Sequence, residues 1–222
     1  MERIPEPELM DAPEQALAYA QADFEEPNEQ FLRLLAERFP RHAPHRVLDL
    51  GCGPADIPLR LARRRPAVEI WAVDGAQAML ELARRAVAES GLAARVHCLR
   101  WRLGSEPPPR ELQAVAFDTC ISNSLLHHLA DPRVLWATVA GLRRGTAVAV
   151  MDLLRPADRK AARSIVETYA GGEPEVLRRD FFHSLCAAYR PEEVRDQLRA
   201  ADLGHLQVDV VSDRHLLVSG WR

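Results

Sequence analysis

Short apolar runs alternate with amphipathic segments through the middle of the chain. Runs rich in β-branched and other apolar residues predict strands at 46–50, 68–73, 96–99, 117–122 and 147–151. Between them, apolar residues at helical spacing predict helices at 56–65, 76–89 and 132–142. Asp56 is expected to cap the first of these helices, and Gly91 closes the second. Such alternation indicates a parallel sheet with helices on both faces.

The end of the chain follows a different pattern. A helix is predicted at 192–201, and strands at 206–211 and 216–221 flank the short turn Ser212-Asp213. Two strands joined by so short a turn must be antiparallel. The predicted fold class is therefore α/β, a doubly wound sheet of seven strands that is mostly parallel, with an antiparallel C-terminal strand. Residues 153–190 fit neither part and are predicted to be an insertion.

The segment before the first strand is predicted to be a helical arm. Helical spacing from about Glu8 to Pro40 indicates two helices divided by Pro27. The expected domains are therefore an N-terminal arm, residues 1–44, and a main domain, residues 45–222.

The composition is that of an ordinary globular protein, and it limits the classes of partner that can be expected. Hydrophobic residues make up 47% and charged residues 27%, and 29 Lys and Arg against 32 Asp and Glu give a net charge of −3. The sequence has no concentrated basic stripe with aromatic residues, so nucleic acid is not an expected partner. The four cysteines form no CxxC pair, and we expect neither a disulfide framework nor a metal site.

Targeting signals are not apparent in the sequence. No apolar run approaches the roughly 20 residues that span a bilayer. The acidic N-terminus, with Glu2 and Glu6, does not resemble a signal peptide. A cytoplasmic protein without a membrane partner is the expectation, either as a monomer or as a homodimer.

Polar residues stand at the carboxyl ends of the predicted strands, where open α/β sheets bind ligands. They are Asp49, Gly51 and Gly53 at the first strand, Asp74 at the second, Ser122 and Asn123 at the fourth, and Asp152 at the fifth. Singly, each is explained as a turn or capping residue. Together, a glycine turn and an acid 23 residues after Gly51 fit a nucleoside, because the acid can accept both ribose hydroxyls.

The position of Asp56 distinguishes between classes of nucleotide. In the dinucleotide fingerprint GxGxxG, the third glycine would stand where this chain has Asp56. A carboxylate there would repel a pyrophosphate at the N-terminus of the following helix. S-adenosylmethionine (SAM) fits better, since it carries a sulfonium and an α-ammonium but no phosphate.

Three motifs in order resemble those of the class I SAM-dependent methyltransferases. The segment VLDLGCGP at 47–54 resembles motif I, and AVDGAQAML at 72–80 resembles the second motif. The segment ISNSLLHHL at 121–129 resembles the fourth-strand motif of the small-molecule branch. The resemblance covers residues 46–152 and, through the terminal hairpin, the rest of the sheet. It implies a Rossmann-like fold, SAM as cofactor and S-adenosylhomocysteine (SAH) as product.

The resemblance also implies a cofactor-binding set. Asp49 and the backbone of residues 51–53 would face the methionine end, Asp74 the ribose and Met79 the adenine. Asn123 would touch the methionine part. The full set is Tyr19, Asp49, Gly51, Cys52, Gly53, Asp74, Gly75, Met79, Arg102, Leu103, Asn123 and Ser124.

The chain departs from the family pattern at two places. Ala55 stands where the family has a third glycine, which is a small change in size. After the third strand the family commonly has an acid that binds the adenine amino group. This chain has Arg100-Trp101-Arg102-Leu103-Gly104 there, so backbone groups near Arg102 and Leu103 are expected to hold the adenine.

Methyl transfer requires alignment of the reactants and exclusion of water more than acid–base chemistry. His127 and His128 are the candidate bases for an acceptor that must lose a proton. The alternative is a pair of histidines that open a helix, one packed and one solvated. Asp152 completes the candidate catalytic residues, where it either orients a substrate or ends its strand.

Two segments are candidates for covering the site. Tyr19, Asp23 and Phe24 lie in the arm, where relatives carry a lid helix, and the alternative is a helix packed on the sheet edge. In the insertion, an aromatic and charged mixture predicts either a pocket for an anionic or amphipathic small molecule or a helical pair with solvated arginines. These residues are Tyr169, Arg178, Arg179, Asp180, Phe181, Phe182, His183 and Tyr189.

The expected function is methyl transfer from SAM to a small-molecule acceptor that the sequence does not name. A SAM-binding protein without transfer activity and a protein or RNA methyltransferase are the alternatives. An NAD-linked oxidoreductase is disfavoured by Asp56 and by the terminal hairpin.

Overall fold

A seven-stranded sheet forms the centre of the molecule. The computed structural model describes residues 1–6 and 11–222. Along the sheet the strands follow the order β3-β2-β1-β4-β5-β7-β6. Their bounds are β1 Arg46–Leu50, β2 Glu69–Asp74, β3 Val96–Arg100, β4 Thr119–Asn123, β5 Ala147–Leu153, β6 Gln207–Val210 and β7 His215–Trp221. Strand β7 is antiparallel to both β5 and β6, and the other pairs are parallel. The predicted fold class is confirmed.

Helices cover both faces of this sheet. Their bounds are α1 Pro13–Gln21, α2 Glu25–Arg38, α3 Asp56–Arg64, α4 Gln77–Glu89, α5 Arg110–Gln113, α6 Arg133–Gly141, α7 Arg159–Ala170, α8 Glu175–Ala187 and α9 Pro191–Ala200. On one face Phe31 of α2 and Leu80 of α4 are fully buried, and on the other Trp136 of α6 is fully buried. All residues of β5 are buried because helices lie over both of its sides. Among the described residues, no helix is both long and apolar enough to cross a membrane.

The strand order places a crevice at the carboxyl ends of β1 and β4. The connection after β1 leads to β2 on one side, whereas β4 lies on the other side of β1. The loops that follow the two strands therefore diverge and leave space between them. The predicted polar strand ends lie at this edge of the sheet.

The arm is helical, but its break lies elsewhere than predicted. Helix α1 ends at Gln21 and α2 begins at Glu25, so the break precedes Pro27. Pro27 stands in the first turn of α2, where its missing N–H leaves no hydrogen bond unmade. The predicted start of the arm, Glu8, lies outside the described residues.

The prediction that Asp56 caps α3 is wrong by one position. The N-cap is Ala55, which has a left-handed backbone with φ 70°. Asp56 is the first helical residue, where its charge favours the positive end of the helix. Its carboxylate accepts hydrogen bonds from Arg60 Nε at 2.9 and 3.0 Å.

The segment predicted as an insertion consists mainly of helices α7 and α8. Strand β5 extends to Leu153, two residues beyond its predicted end. The two helices pack on each other and on Leu153 through Val166 and Leu185, all three buried. They stand over the same sheet edge as the crevice.

The N-terminal tail, residues 1–6, lies against the end of α8. The Ile4 N–H donates to the Cys186 carbonyl at 3.0 Å. Arg3 donates from Nε to the Ala187 carbonyl at 2.6 Å and from its Nη2 to the His127 carbonyl at 3.0 Å. Its guanidinium also lies 4.1 Å from the ring centroid of Tyr189. These contacts hold the tail in place and bring Glu6 to the sheet edge.

Candidate active site

The loop between β1 and α3 turns sharply at the end of its strand. The N–H groups of Gly51 and Cys52 both donate to the Val73 carbonyl, at 2.8 and 2.9 Å. Gly51 has φ +75°, and a Cβ on it would lie 2.9 Å from the Leu125 Cβ. Only glycine therefore fits here without strain, and the loop lies close against the segment that follows β4.

Asp74, at the end of β2, is tied to that loop. Its Oδ2 accepts from the Gly53 N–H at 2.9 Å and its Oδ1 from the Ala76 N–H at 2.8 Å. Burial raises the pKa of Asp74, while the backbone hydrogen bonds act in the opposite direction. The carboxylate thus holds the loop and keeps lone pairs for a ligand.

Asp49 is a buried carboxyl group inside β1, with 2% of its surface exposed. Its Oδ2 accepts no hydrogen bond from any residue in 1–6 or 11–222. Burial and, secondarily, the nearby charge of Asp74 raise the pKa of Asp49 to about 8. An unpartnered buried carboxylate attracts a cationic group.

A first cavity opens between these acids and the arm. Every residue predicted to hold the cofactor lines it: Tyr19, Asp49, Gly51, Cys52, Gly53, Asp74, Gly75, Met79, Arg102, Leu103, Asn123 and Ser124. The structure therefore brings together residues that lie as far apart along the chain as Tyr19 and Ser124.

Asn28 also lines the first cavity and is missing from the sequence prediction. It is buried, donates from Nδ2 to Asp56 Oδ2 at 2.5 Å and accepts from Asn123 Nδ2 at 3.3 Å. The sequence does contain a sign that Asn28 is functional, because it is a polar residue on the apolar stripe that Phe31 and Leu35 form on α2.

A second cavity of about 820 Å³ adjoins the first. It lies under the arm and helices α7 and α8. Both cavities are lined by one set of side chains, here called the shared wall: Tyr19, Phe24, Asn28, Asn123, Ser124 and His128. Molecules occupying the two cavities would therefore meet at this wall.

Residues of the predicted insertion pocket divide between the second cavity and other environments. Those that line the cavity are Tyr169, Arg179, Asp180, Phe181 and His183. Arg178 instead pairs with Glu167 at 2.7 Å, and Phe182 has the Arg159 guanidinium 5.3 Å from its ring centroid. Tyr189 lies beneath Arg3. The insertion is thus a helical pair of which one side faces the cavity.

His127 and His128 belong to a 3-10 turn, Leu126–His128, and not to the start of an α-helix. The helix predicted at 132–142 forms at Arg133–Gly141, so the two histidines precede it. His127 is buried and lines the second cavity, whereas His128 is partly exposed and lines both. This correction matters because the tight turn brings the two rings to 4.2 Å between centroids.

Asp152 orients His127 from within β5. Its Oδ1 lies 2.7 Å from His127 Nδ1, and its Oδ2 accepts from the Leu126 N–H at 2.6 Å. Burial acts to lower the pKa of His127, but the charge and hydrogen bond of Asp152 and the charge of Glu6 leave it raised. Asp152 is only 1% exposed and is absent from the described lining of both cavities, so it is positioned to act through His127.

Glu6 faces the two histidines, although nothing in the sequence pointed to it. Its Oε1 lies 3.2 Å from His128 Nδ1 and 3.5 Å from His127 Nε2. The Ser184 hydroxyl donates to the same oxygen at 3.0 Å. Burial raises the pKa of Glu6, while His127 and the Ser184 hydrogen bond act to lower it.

Comparison with known proteins settles the family. Residues 47–146 match the methyltransferase domain family. An uncharacterized methyltransferase of Mycobacterium bovis is 30% identical over 155 residues, which span 69% of this chain and 74% of the relative. The chain belongs to the class I SAM-dependent methyltransferases.

This methyltransferase also resembles proteins whose names state a substrate. A trans-aconitate 2-methyltransferase of Mycolicibacterium gilvum is 29% identical over 159 residues, 71% of this chain and 56% of that protein. The plantazolicin methyltransferase BpumL, solved in complex with SAH, has a TM-score of 0.67 at 12% identity, covering 94% of this chain and 91% of that one. At this identity the second likeness shows the fold alone.

Proposed function

We propose that this methyltransferase transfers a methyl group from SAM in the first cavity to a small-molecule acceptor in the second. The observation that supports this most directly is the shared wall between two adjoining cavities. In-line displacement requires the acceptor atom and the methyl group to meet with water excluded. A wall common to both cavities provides such a meeting point.

The first cavity suits SAM by the chemistry of its side chains. Asp49 offers an unpartnered buried carboxylate to a cationic methionine end. Asp74 would accept the ribose hydroxyls, and Met79 would lie against the adenine. Backbone groups near Arg102 and Leu103 would hold the adenine edge, and Asn123 the methionine part. When bound, SAM supplies an already activated methyl group.

The arm, residues 1–44, would serve as a lid over residues 45–222. Tyr19 and Phe24 line both cavities, and their ring centroids are 4.5 Å apart. These aromatic rings would exclude water from the shared wall. Residues 153–190 would form the far side of the acceptor pocket.

The charge of the second cavity favours a neutral or cationic acceptor. Carboxylates outnumber guanidinium groups in its described lining. Arg214 is already paired with Glu26 at 2.8 Å and stacked on Tyr169 at 3.4 Å, and Arg179 lies 3.5 Å from Asp180. An acceptor with several carboxylates, such as the trans-aconitate of the relatives, would meet mostly like charge here.

His127 and His128 would activate the acceptor. They line the second cavity, and His128 reaches the shared wall. Asp152 would act as a positioning residue for His127.

Two measurements test this function. Incubation with labelled SAM and a metabolite extract should yield a methylated small molecule, identified by mass spectrometry. Calorimetric titration should show SAH binding but no NAD binding. If NAD binds and SAH does not, the proposal fails. If SAH binds but only protein or RNA becomes labelled, the small-molecule acceptor is wrong.

A further inference from the structure

Three metal-ligating side chains meet at the edge of the second cavity. Donor atoms of Glu6, His127 and His128 all lie within 4.8 Å of one another. Glu6 Oε1 is 3.5 Å from His127 Nε2 and 3.2 Å from His128 Nδ1. Ligand atoms placed tetrahedrally around a Zn²⁺-sized ion at about 2.1 Å are separated by about 3.4 Å. These separations therefore leave room for such an ion.

The hydrogen bond between Asp152 and His127 orients His127 so that its other ring nitrogen can bind a metal ion. Asp152 Oδ1 lies 2.7 Å from His127 Nδ1, and the N–H groups of Leu126 and Leu153 hold the Asp152 carboxylate at 2.6 and 2.8 Å. When Nδ1 donates its hydrogen to Asp152, the Nε2 of the neutral ring carries a lone pair toward Glu6. A carboxylate that binds the second nitrogen of a histidine ligand is the usual support of a metal site.

The distance from His127 to Glu6 does not describe an ordinary hydrogen bond. At 3.5 Å it exceeds the roughly 2.7–3.2 Å typical of N–H···O bonds. Glu6 is instead fixed by the Ser184 hydroxyl at 3.0 Å. The space between the carboxylate and the ring is therefore better suited to a bridging ion than to a direct bond.

The local charge favours a cation. Glu6 and Asp152 contribute two carboxylates, and the Arg3 guanidinium, which donates to the His127 carbonyl, contributes one positive charge. Two imidazoles and one carboxylate prefer first-row transition ions over Mg²⁺ or Ca²⁺.

We propose that Glu6, His127 and His128 bind one divalent transition-metal ion, with Zn²⁺ as the reference case, at the edge of the second cavity. The sequence predicts no metal because Glu6 is far along the chain from the adjacent His127 and His128 and meets them only through the docking of the tail. An open coordination position would face the acceptor.

The inference rests on the proposed function and specifies how the acceptor is activated: His127 and His128 would act on it as ligands of the ion and not as free bases. A hydroxyl oxygen bound to the ion would lose its proton to solvent more readily. Its lone pair would then form the new oxygen–carbon bond, while the sulfur–methyl bond of SAM breaks and leaves its electron pair on sulfur as SAH. The acceptor class is thus a small molecule with a hydroxyl group.

Metal binding can be measured on the untagged full chain with Co²⁺ and Zn²⁺. Titration with Co²⁺ should give visible d–d absorption that saturates at one equivalent, and Zn²⁺ should displace it. Glu6→Gln and His128→Ala should each weaken binding by about 100-fold, and Asp152→Asn by about 10- to 100-fold. His183→Ala is the matched control, because His183 lines the same cavity outside the cluster and should bind as the wild type does.

These measurements distinguish a failure of the metal proposal from a failure of the cofactor proposal. No stoichiometric binding, or equal binding by the wild type, Glu6→Gln and His128→Ala, overturns the metal site. SAH titration of the same samples reports independently on the first cavity, and SAH binding without metal binding leaves the proposed function intact. Glu6 and His128 are only partly buried, so their variants should keep the wild-type unfolding midpoint, which thermal unfolding checks.

Discussion

The carboxyl group of Asp49 illustrates how a single residue can favour ligand binding over stability. It is buried beside Asp74 and has an oxygen that no described residue donates to. Burial raises its pKa from 3.8 to about 8, so the ionised group opposes folding of the ligand-free protein. Its stabilising contribution is complete below pH 4 and is lost as the pH rises through about 8.

Replacement of Asp49 should therefore stabilise the ligand-free protein in alkaline solution. We expect Asp49→Asn to raise the free energy of unfolding by about 4–6 kcal/mol at pH 8.5, because the neutral amide never carries the buried charge that Asp49 carries there. Near pH 4, where Asp49 is protonated in the folded protein and about half protonated in the unfolded chain, the two proteins should be similar. Urea unfolding at both pH values measures this, and equal differences at the two would contradict the assigned pKa.

The pH dependence of SAM binding should have the opposite sign. A cationic ligand binds the ionised form of Asp49, so below the pKa of about 8 binding must displace a proton. The affinity should rise by up to about tenfold per pH unit between pH 6 and 8. Calorimetry should show a smaller rise for SAH, which lacks the sulfonium, and a flat profile for Asp49→Asn. A flat profile in the wild type would place the cation elsewhere.

Individual site residues were predictable where local motifs carry them. Asp49 and Asp74 stand in segments whose spacing alone indicates a nucleoside site. Asn28 was missed because its polar side chain interrupts an otherwise ordinary apolar stripe. Glu6 could not be predicted, because it stands 121 positions before His127 in the chain. The two side chains meet only when the tail docks on α8.

At the scale of elements, the loop between β1 and α3 depends on two glycines for different reasons. Gly51 and Gly53 both have positive φ, but only at Gly51 would a Cβ collide with Leu125. Gly51→Ala should cost about 2–4 kcal/mol through strain and overpacking. Gly53→Ala should cost about 1 kcal/mol through strain alone. Urea denaturation compares them, and equal costs would show that Leu125 yields freely.

Helix α1 should be separable from the rest of the molecule by one substitution. Ala16 is fully buried against Ala76 and Met79, the latter in α4. Ala16→Asp places an unpaired charge in that contact and should release α1. We expect faster proteolysis within residues 11–24 and at least about tenfold weaker SAH binding, because Tyr19 would leave the first cavity.

The neighbouring residue supplies the control for this experiment. Leu17 is 46% exposed, so Leu17→Asp introduces the same charge into solvent. It should behave as the wild type in limited proteolysis and in SAH calorimetry. Similar behaviour of the two variants would exclude α1 as a lid that Ala16 holds in place.

The elements themselves were predicted well where hydrophobic periodicity is strong. The limits of the central strands differ from the predicted ones by at most two residues. The arm was divided wrongly at Pro27, because proline ends a helix in its interior but is tolerated in its first turn. Helices α7 and α8 were predicted only as one of two alternatives for the insertion, although the buried residues Ala162, Val166 and Ala170 of α7 stand four positions apart, as on one face of a helix.

For the whole molecule, cofactor binding should appear as increased thermal stability. A ligand at 100 times its dissociation constant stabilises the folded state by about 2.7 kcal/mol. For a chain of this size, SAH should therefore raise the unfolding midpoint by about 5–10 °C. NAD should leave the midpoint unchanged, and Asp74→Ala should abolish most of the SAH effect. A comparable shift with NAD would contradict the assignment of the first cavity.

The sheet topology could be predicted from the sequence because the strand and helix pattern and the turn residues indicate the same fold. Alternating strands and helices indicate the parallel part, and the short turn Ser212-Asp213 requires the antiparallel end. The second cavity was not accessible in the same way. Its walls come from the tail, the arm, α7, α8 and the turn after β4, whose mutual arrangement depends on long-range packing.

The shared wall has a thermodynamic consequence for a two-substrate reaction. Tyr19, Phe24 and Asn28 line both cavities, so under the proposed function the first ligand to arrive would order them for the second. The second then binds with less loss of side-chain entropy, which makes the two affinities cooperative. Reciprocity requires that the acceptor tighten SAM binding by the same factor by which SAM tightens acceptor binding.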